Sequence, residues 1–197
     1  MNQPFPDPFA GEPAWVPRRP RPVRLVPAVG RSDLRGRRVV AGLPGFGWRT
    51  DLRADEPIVR NSRTFIPVLP EQEWYRAEAE QVEVFAPLMP VDRIWVETLG
   101  EPEVTGSVPP EKLVSLDLPA HRPPTAVVEA DSLCGRRVVQ MADGAERRDL
   151  RAVTETYAAD GGDICVRVTA ELDWYRWAWR GQVPATREVP VHLLWVE

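Results

Sequence analysis

Few residues of this chain have the types and spacing that catalysis needs. The only histidines are His121, in a proline-rich segment, and His192, inside a predicted strand, and neither has a second plausible metal ligand nearby in sequence. Cys134 and Cys165 lack metal-ligand spacing and are too few for a disulfide framework, so we interpret them as small buried hydrophobic residues. We therefore expect no catalytic residue, no cofactor and no metal, with an enzyme of an unrecognised type as an alternative.

Two other patterns are weak candidates for a site. Asp51 and Asp149 recur in the tetrapeptide DLRA and could form a carboxylate pair, although an N-cap or a salt bridge is the commoner role for such residues. Gly45-Phe46-Gly47 resembles the start of a dinucleotide-binding fingerprint, but the third glycine and the following helix are missing. We interpret this tripeptide as a turn.

The aromatic residues offer a stronger signal. The stretch DWYRWAWRG at 173–181 has a partial counterpart in EWYRAEAEQ at 73–81. The shared Trp and Tyr, together with the later Trp95 and Trp195, are predicted to lie in the core, since two similar units must bury similar interiors. At the positions equivalent to Trp177 and Trp179, the first copy has alanines. At the positions equivalent to Phe46 and Trp48, the second copy has polar residues. These four unshared aromatics are predicted to pack between the units or to bind a partner.

Arginine is concentrated near the start of the chain. Four of these arginines, Arg18, Arg19, Arg21 and Arg24, form part of a basic stretch, while acidic residues dominate from 71 to 103. The basic arm either folds back onto the acidic face or contacts phosphate or an acidic protein. Because the formal net charge is −4, nucleic-acid binding is an alternative rather than the preferred interpretation. The near absence of lysine is typical of a GC-rich, bacterial coding sequence.

The chain contains an internal duplication. LRGRRVV at 34–40 recurs as LCGRRVV at 133–139, DLRA at 51–54 recurs at 149–152, WYR at 74–76 recurs at 174–176, and IWVE at 94–97 recurs as LWVE at 194–197. The four matches keep their order and nearly constant spacing, so chance is excluded. We predict a proline- and arginine-rich extended arm at 1–30, a first unit at 31–98, a proline-rich linker at 99–130 and a second unit at 131–197.

Most segments of each unit have the period of strands. GRRVV, DLRA, ICVRV and the closing runs PVDRIWVE and VPVHLLWVE are predicted strands, and Gly161-Gly162-Asp163 is a predicted hairpin turn. VRLV at 23–26 and AVV at 126–128 could each add a strand to the unit that follows. The 22 prolines disfavour long helices.

The segments around WYR are ambiguous, and we favour a short helix over a strand. Pro70 would occupy the first helical position of the first copy, and Thr169 and Gly181 would cap the second. The fold class is therefore mainly β, with at most one short helix per unit. Each of the tandem units is a small SH3-like barrel or a small α+β sheet.

These observations favour a non-catalytic protein-interaction or scaffold module whose process is unknown. A protein partner or self-association is expected, and nucleic acid is possible but not favoured. The candidate interaction surface comprises Phe46, Trp48, Trp177, Trp179, Arg18, Arg19, Arg21 and Arg24. No segment approaches the length of an apolar membrane span, and the early prolines do not suit a signal peptide, so a cytoplasmic location is expected.

Overall fold

A computed structural model describes residues 18–43, 47–100 and 122–197. The protein is mostly β, with two curled antiparallel sheets and two α-helices in this part of the chain. The predicted fold class, a tandem duplication of a β-rich unit with one short helix each, is confirmed. The finer likeness to an SH3 barrel stays a prediction.

The first sheet contains seven strands. In chain order they are β1 (Val23–Pro27), β2 (Arg38–Leu43), β3 (Gly47–Ala54), β4 (Ile58–Arg60), β5 (Arg63–Pro70), β6 (Leu88–Pro90) and β7 (Ile94–Leu99). Helix α1 (Glu71–Glu80) follows β5, and a single 3-10 turn (Val91–Arg93) separates β6 from β7. The strand order is β1-β7-β2-β3-β5-β4, with β6 paired to β5. VRLV therefore adds an edge strand, as predicted.

The second sheet repeats this arrangement. Its strands are β8 (Thr125–Ala126), β9 (Arg137–Ala142), β10 (Ala145–Ala152), β11 (Tyr157–Ala158), β12 (Ile164–Ala170), β13 (Arg187–Pro190) and β14 (Leu194–Val196). Helix α2 (Glu171–Arg180) follows β12, and a 3-10 turn (Val191–Leu193) precedes β14. The strand order is β11-β12-β10-β9-β14-β8, with β13 paired to β12. Read in reverse, from β8 to β11, this order matches that of the first sheet strand by strand. Equivalent strands therefore have equivalent neighbours, which is the structural form of the duplication.

A shared irregularity supports the same conclusion. The pairing of β2 with β3 shifts register between Val39 and Ala41, and that of β10 with β9 shifts between Arg147 and Leu150. At these bulges Asp51 and Asp149 have φ of 57° and 58°. Aspartate is among the few non-glycine residues that tolerate this conformation. Because both aspartates lie inside strands, neither is an N-cap, whereas the salt bridge and the carboxylate pair stay predictions.

Each sheet packs around its own apolar cluster. The first includes Leu34 and Ile94 at 0% and 1% exposure, and the second includes Leu133 and Leu194 at 2% and 1%. Full burial of one such side chain contributes about 1.5–3 kcal/mol of transfer free energy. The leucine of the repeated LRG and LCG blocks is thus a core residue in both copies.

Both WYR segments are helical, as predicted, but their N-terminal caps differ from the prediction. Pro70 is the N-cap and not the first helical residue, and the N-cap of α2 is Ala170 and not Thr169. Neither cap makes a side-chain hydrogen bond, and acidic residues in the first turn complement the helix dipole instead. Gly181 ends α2 in the left-handed conformation, as predicted, and its N–H bonds to the carbonyl of Trp177.

The chain divides into two compact units. Of the residues that the structure describes, one unit holds 21–43, 47–100 and 122–124 with Ala170–Ala185, and the other holds 18–20, Thr125–Thr169 and Thr186–Glu197. Helix α2 therefore belongs to the compact unit of the first sheet, although it comes from the second copy of the sequence. The four segment boundaries proposed from the sequence stay predictions. None of the helices that the structure describes is long and apolar enough to cross a membrane.

Candidate functional site

The most unusual feature of the unit that contains α1 and α2 is a buried group of charges. Glu71 and Glu171, the first residues of the two helices, have fully buried side chains. Arg38 on β2 contacts both, with Nε 3.0 Å from Glu71 Oε1 and an Nη 2.5 Å from Glu171 Oε2. Arg53 on β3 also contacts both, with Nε 3.1 Å from Glu71 Oε1 and an Nη 3.3 Å from Glu171 Oε2. Two guanidinium groups thus neutralise two carboxylates inside one compact unit.

Two tyrosines complete this cluster in a reciprocal pattern. The hydroxyl of Tyr75 donates to Glu171 Oε2 at 3.0 Å, and the hydroxyl of Tyr175 donates to Glu71 Oε2 at 3.0 Å. The two rings stack with centroids 5.5 Å apart. Each helix therefore begins at a carboxylate that the tyrosine of the other helix binds. We call Arg38, Arg53, Glu71, Tyr75, Glu171 and Tyr175 the helix-pair cluster.

The helix-pair cluster is suited to holding the helices rather than to catalysis. A general acid or base must reach the proton of a substrate. Both carboxylates have 0% exposed side chains and are held by arginine and tyrosine donors, so neither can contact a bound molecule. The sequence contains a signal for this cluster, but the signal is spread over separate segments of the chain. A glutamate stands three residues before WYR in both copies, and the arginines of GRRVV and DLRA recur as well.

The far ends of the helices are also joined. Arg180, the last residue of α2, donates two hydrogen bonds to Glu80 Oε1, at 3.2 and 3.1 Å. The Arg180 guanidinium holds the pKa of the Glu80 carboxyl below its usual value. Because an exposed pair contributes little to stability, the helix-pair cluster is the main link between α2 and α1.

The shared aromatic residues form the core only in part. Trp74 and Trp95 are buried, at 9% and 3% exposure, as predicted. Trp174, Trp195 and both stacked tyrosines are half-buried.

Trp177 and Trp179 differ from these framework residues. Trp177 is 37% exposed, and its ring packs edge-on against that of Trp174, with the ring centroids 5.7 Å apart. Trp179 is half-buried, and its Nε1 is buried without a hydrogen-bond partner among the residues that the structure describes. A tryptophan N–H in such a position usually finds an acceptor. The last turns of α2 thus carry one exposed ring, that of Trp177, and one buried indole N–H without a described partner, that of Trp179.

Trp48 occupies a different environment. It lies on β3, and its ring packs edge-on against Trp95 with centroids 4.8 Å apart. Trp48 is thereby held by the framework of the first sheet. Phe46 lies outside the described residues, so the predicted apolar feature of Phe46 and Trp48 stays a prediction, as does its meeting with Trp177 and Trp179.

The arginines of the arm are engaged with the protein itself. The guanidinium of Arg19 lies 5.7 Å from the ring centroid of Trp195, within the range of a cation–π interaction. Arg21 and Arg24 also have partners. Arg18 is exposed. An interaction surface formed by these four residues stays a prediction.

A second titratable group supports the second unit. Glu155 accepts from the backbone N–H groups of Leu133 and Cys134 and from Ser132 Oγ, at 3.0 to 3.2 Å. The hydrogen bond from the Cys134 N–H is the largest of the influences that lower the pKa of Glu155. This carboxylate anchors the turn before β9. The part of the chain that the structure describes holds no group of three or more metal-ligating side chains.

Comparison with known proteins adds no assignment. No protein-family model matches the chain, and neither curated proteins nor solved structures give a significant match.

Proposed function

We propose that this protein is a non-catalytic interaction or scaffold module, and that a partner protein docks on the last turns of α2, around Trp177 and Trp179. One observation carries the proposal: Trp177 is 37% exposed on a helix whose first turn is held by the helix-pair cluster. Tryptophan is enriched among residues that dominate binding energy at interfaces. A rigid support lowers the entropy lost on binding.

The duplication supports the same assignment. Ala77 and Ala79 occupy the equivalent positions of α1, so the fold of a unit does not require tryptophan there. The two helices share the glutamate, tryptophan and tyrosine of the framework and differ at the positions of Trp177 and Trp179. Function is expected where two copies of one framework have diverged.

A photo-crosslinking experiment tests the proposal. The photoreactive amino acid p-benzoylphenylalanine is introduced at position 177, and at position 79 of α1 as the matched exposed control, in the organism that naturally produces the protein. We expect an adduct with a specific protein at position 177 and none at position 79. Equal labelling at both positions, or no adduct at either, contradicts docking on α2.

The two alternatives have less support. Nucleic-acid binding through the arm requires free arginines, whereas Arg19 covers Trp195 and Arg21 and Arg24 have partners. A gel shift at low salt tests it, since phosphate contacts are strongest there. For an enzyme, the buried carboxylates are the best candidates, and they are closed to a substrate.

A further inference from the structure

A basic surface surrounds the hairpin of β4 and β5 in the first sheet. Two adjoining clefts of about 570 and 560 Å³ share Arg63 and Phe65 in their walls. Arg93 lines one cleft and Arg60 lines the other. We call Arg60, Arg63, Phe65 and Arg93 the basic hairpin cleft.

Within the described part of the chain, the arginines of this cleft have no carboxylate partners. No acidic side chain forms an ion pair with Arg60, Arg63 or Arg93 there, whereas Arg35 and Arg76 are both paired. Asp92 is the only carboxylate among the described residues of the cleft walls. Positive charges held near one another without counter-charges repel, and an anionic ligand relieves that repulsion.

The second copy of the unit lacks this surface. Phe65 pairs with Pro90 across β5 and β6, and Cys165 pairs with Pro190 across β12 and β13, so the two pairs are equivalent. By the same register Asp163 stands in place of Arg63, and Leu193 in place of Arg93. The second sheet forms with Asp163 and Leu193 at these positions, so a sheet of this kind does not need Arg63 and Arg93 in order to fold.

The adjacent strand edge is open to a further strand. β4 lies at the end of the strand order and pairs only with β5 among the described strands. Its residues are exposed, with Ile58 at 36% and Val59 at 69%. Unpaired backbone groups and exposed apolar side chains on an edge can accept an extended peptide as an added strand.

From these observations we propose that the basic hairpin cleft binds an extended acidic segment of a partner protein. Its carboxylates bind Arg60, Arg63 and Arg93, and one of its apolar side chains covers Phe65. The open shape of the clefts suits a peptide. Nucleic acid fits less well, because binding of a single strand uses successive aromatic platforms and a basic protein, whereas the cleft offers one ring and the net charge is −4. The proposal rests on the protein being an interaction module but uses residues other than those of α2.

The test uses the full chain and a fluorescent ten-residue peptide in which glutamate alternates with valine. We expect saturable binding by fluorescence anisotropy at 50 mM salt, which weakens as salt rises. The Arg63→Asp/Arg93→Leu variant carries the residues of the second copy and should bind roughly tenfold more weakly or worse. The control Arg147→Asp/Arg187→Leu makes the same charge change at exposed arginines of the second sheet and should bind within about twofold of wild type.

Further measurements keep the proposal open to refutation. Arg60→Gln alone should weaken peptide binding about threefold. This single variant replaces the double variant in the test if the double variant fails to fold. No binding by wild type, equal weakening in the control, or tighter binding of a labelled oligothymidylate than of the peptide would each overturn the proposal. If the peptide fails while position 177 still crosslinks, the proposed function stands and only this cleft is refuted.

Discussion

The hydroxyl of Tyr75 donates to Glu171 Oε2 at 3.0 Å, although these residues are far apart in the chain. Tyr175 and Glu71 make the reciprocal bond at the same distance. The two bonds and the ring stack between them join the helices of the two sequence copies within one compact unit. The contacts that join the helix pair are thus made by residues that recur in both copies.

The first prediction concerns the buried charge of Glu171. Glu171→Gln removes a carboxylate that Arg38 and Arg53 both contact, and it leaves buried positive charge without compensation. We expect a loss of about 3–5 kcal/mol in the free energy of unfolding, measured by urea denaturation. The control Glu78→Gln removes an exposed partner of Arg35 and should cost less than about 1 kcal/mol. Similar losses in both variants would contradict the role assigned to the cluster.

The second prediction compares the two tyrosines. Tyr175→Phe removes the hydrogen bond to Glu71, and we expect a loss of about 1.5–3 kcal/mol. Tyr75→Phe removes the hydrogen bond to Glu171 and one accepted from Arg53 at 2.8 Å, and we expect a loss of about the same size. Urea denaturation of both variants measures the losses, and a loss below about 0.5 kcal/mol in either variant would contradict the role of its hydroxyl.

The third prediction uses the duplicated cores. Leu34→Ala and Leu133→Ala each delete a buried side chain, at 0% and 2% exposure, from equivalent positions. Each should lower the free energy of unfolding by about 2–5 kcal/mol. Val128→Ala, at a position that is 75% exposed, is the control and should change stability by less than about 0.5 kcal/mol. Loss from only one of the two leucine variants would show that the copies have unequal cores.

The fourth prediction is a pH dependence of Glu155. Because hydrogen bonds lower its pKa in the folded state, its stabilising effect is present above the unfolded pKa of about 4.3 and is lost as the pH falls through the folded value. Glu155→Gln should therefore melt below wild type at pH 7, and the difference should shrink below about pH 4. Melting curves across this range measure it. A difference that is constant with pH would exclude a contribution from the ionised carboxylate.

The fifth prediction separates packing from binding at α2. Trp177→Ala should change the melting temperature little, because the side chain is 37% exposed and the framework of the helix is elsewhere. Trp179→Ala should lower it more, because that side chain is half-buried. Circular dichroism melts provide the comparison. A loss of several degrees from Trp177→Ala would assign Trp177 to packing and remove the main support for docking.

Local patterns were sufficient to predict much of this fold. The strands, the short helices, the hairpin at Gly161-Gly162-Asp163 and the duplication follow from periodicity, turn residues and collinear repeats, all of which act over a few neighbouring positions. The caps at Pro70 and Ala170 were predicted one position off, because cap geometry depends on how a strand enters the helix.

Long-range contacts lie beyond such patterns. Glu71 and Glu171 resemble solvent-exposed residues of a first helical turn, and their burial depends on arginines and tyrosines from distant strands and from the other helix. Arg60, Arg63 and Arg93 likewise meet around one hairpin only through strand pairing. A charged side chain is buried or exposed according to which partners the folded chain brings to it, and that information is in the tertiary structure and not in local spacing.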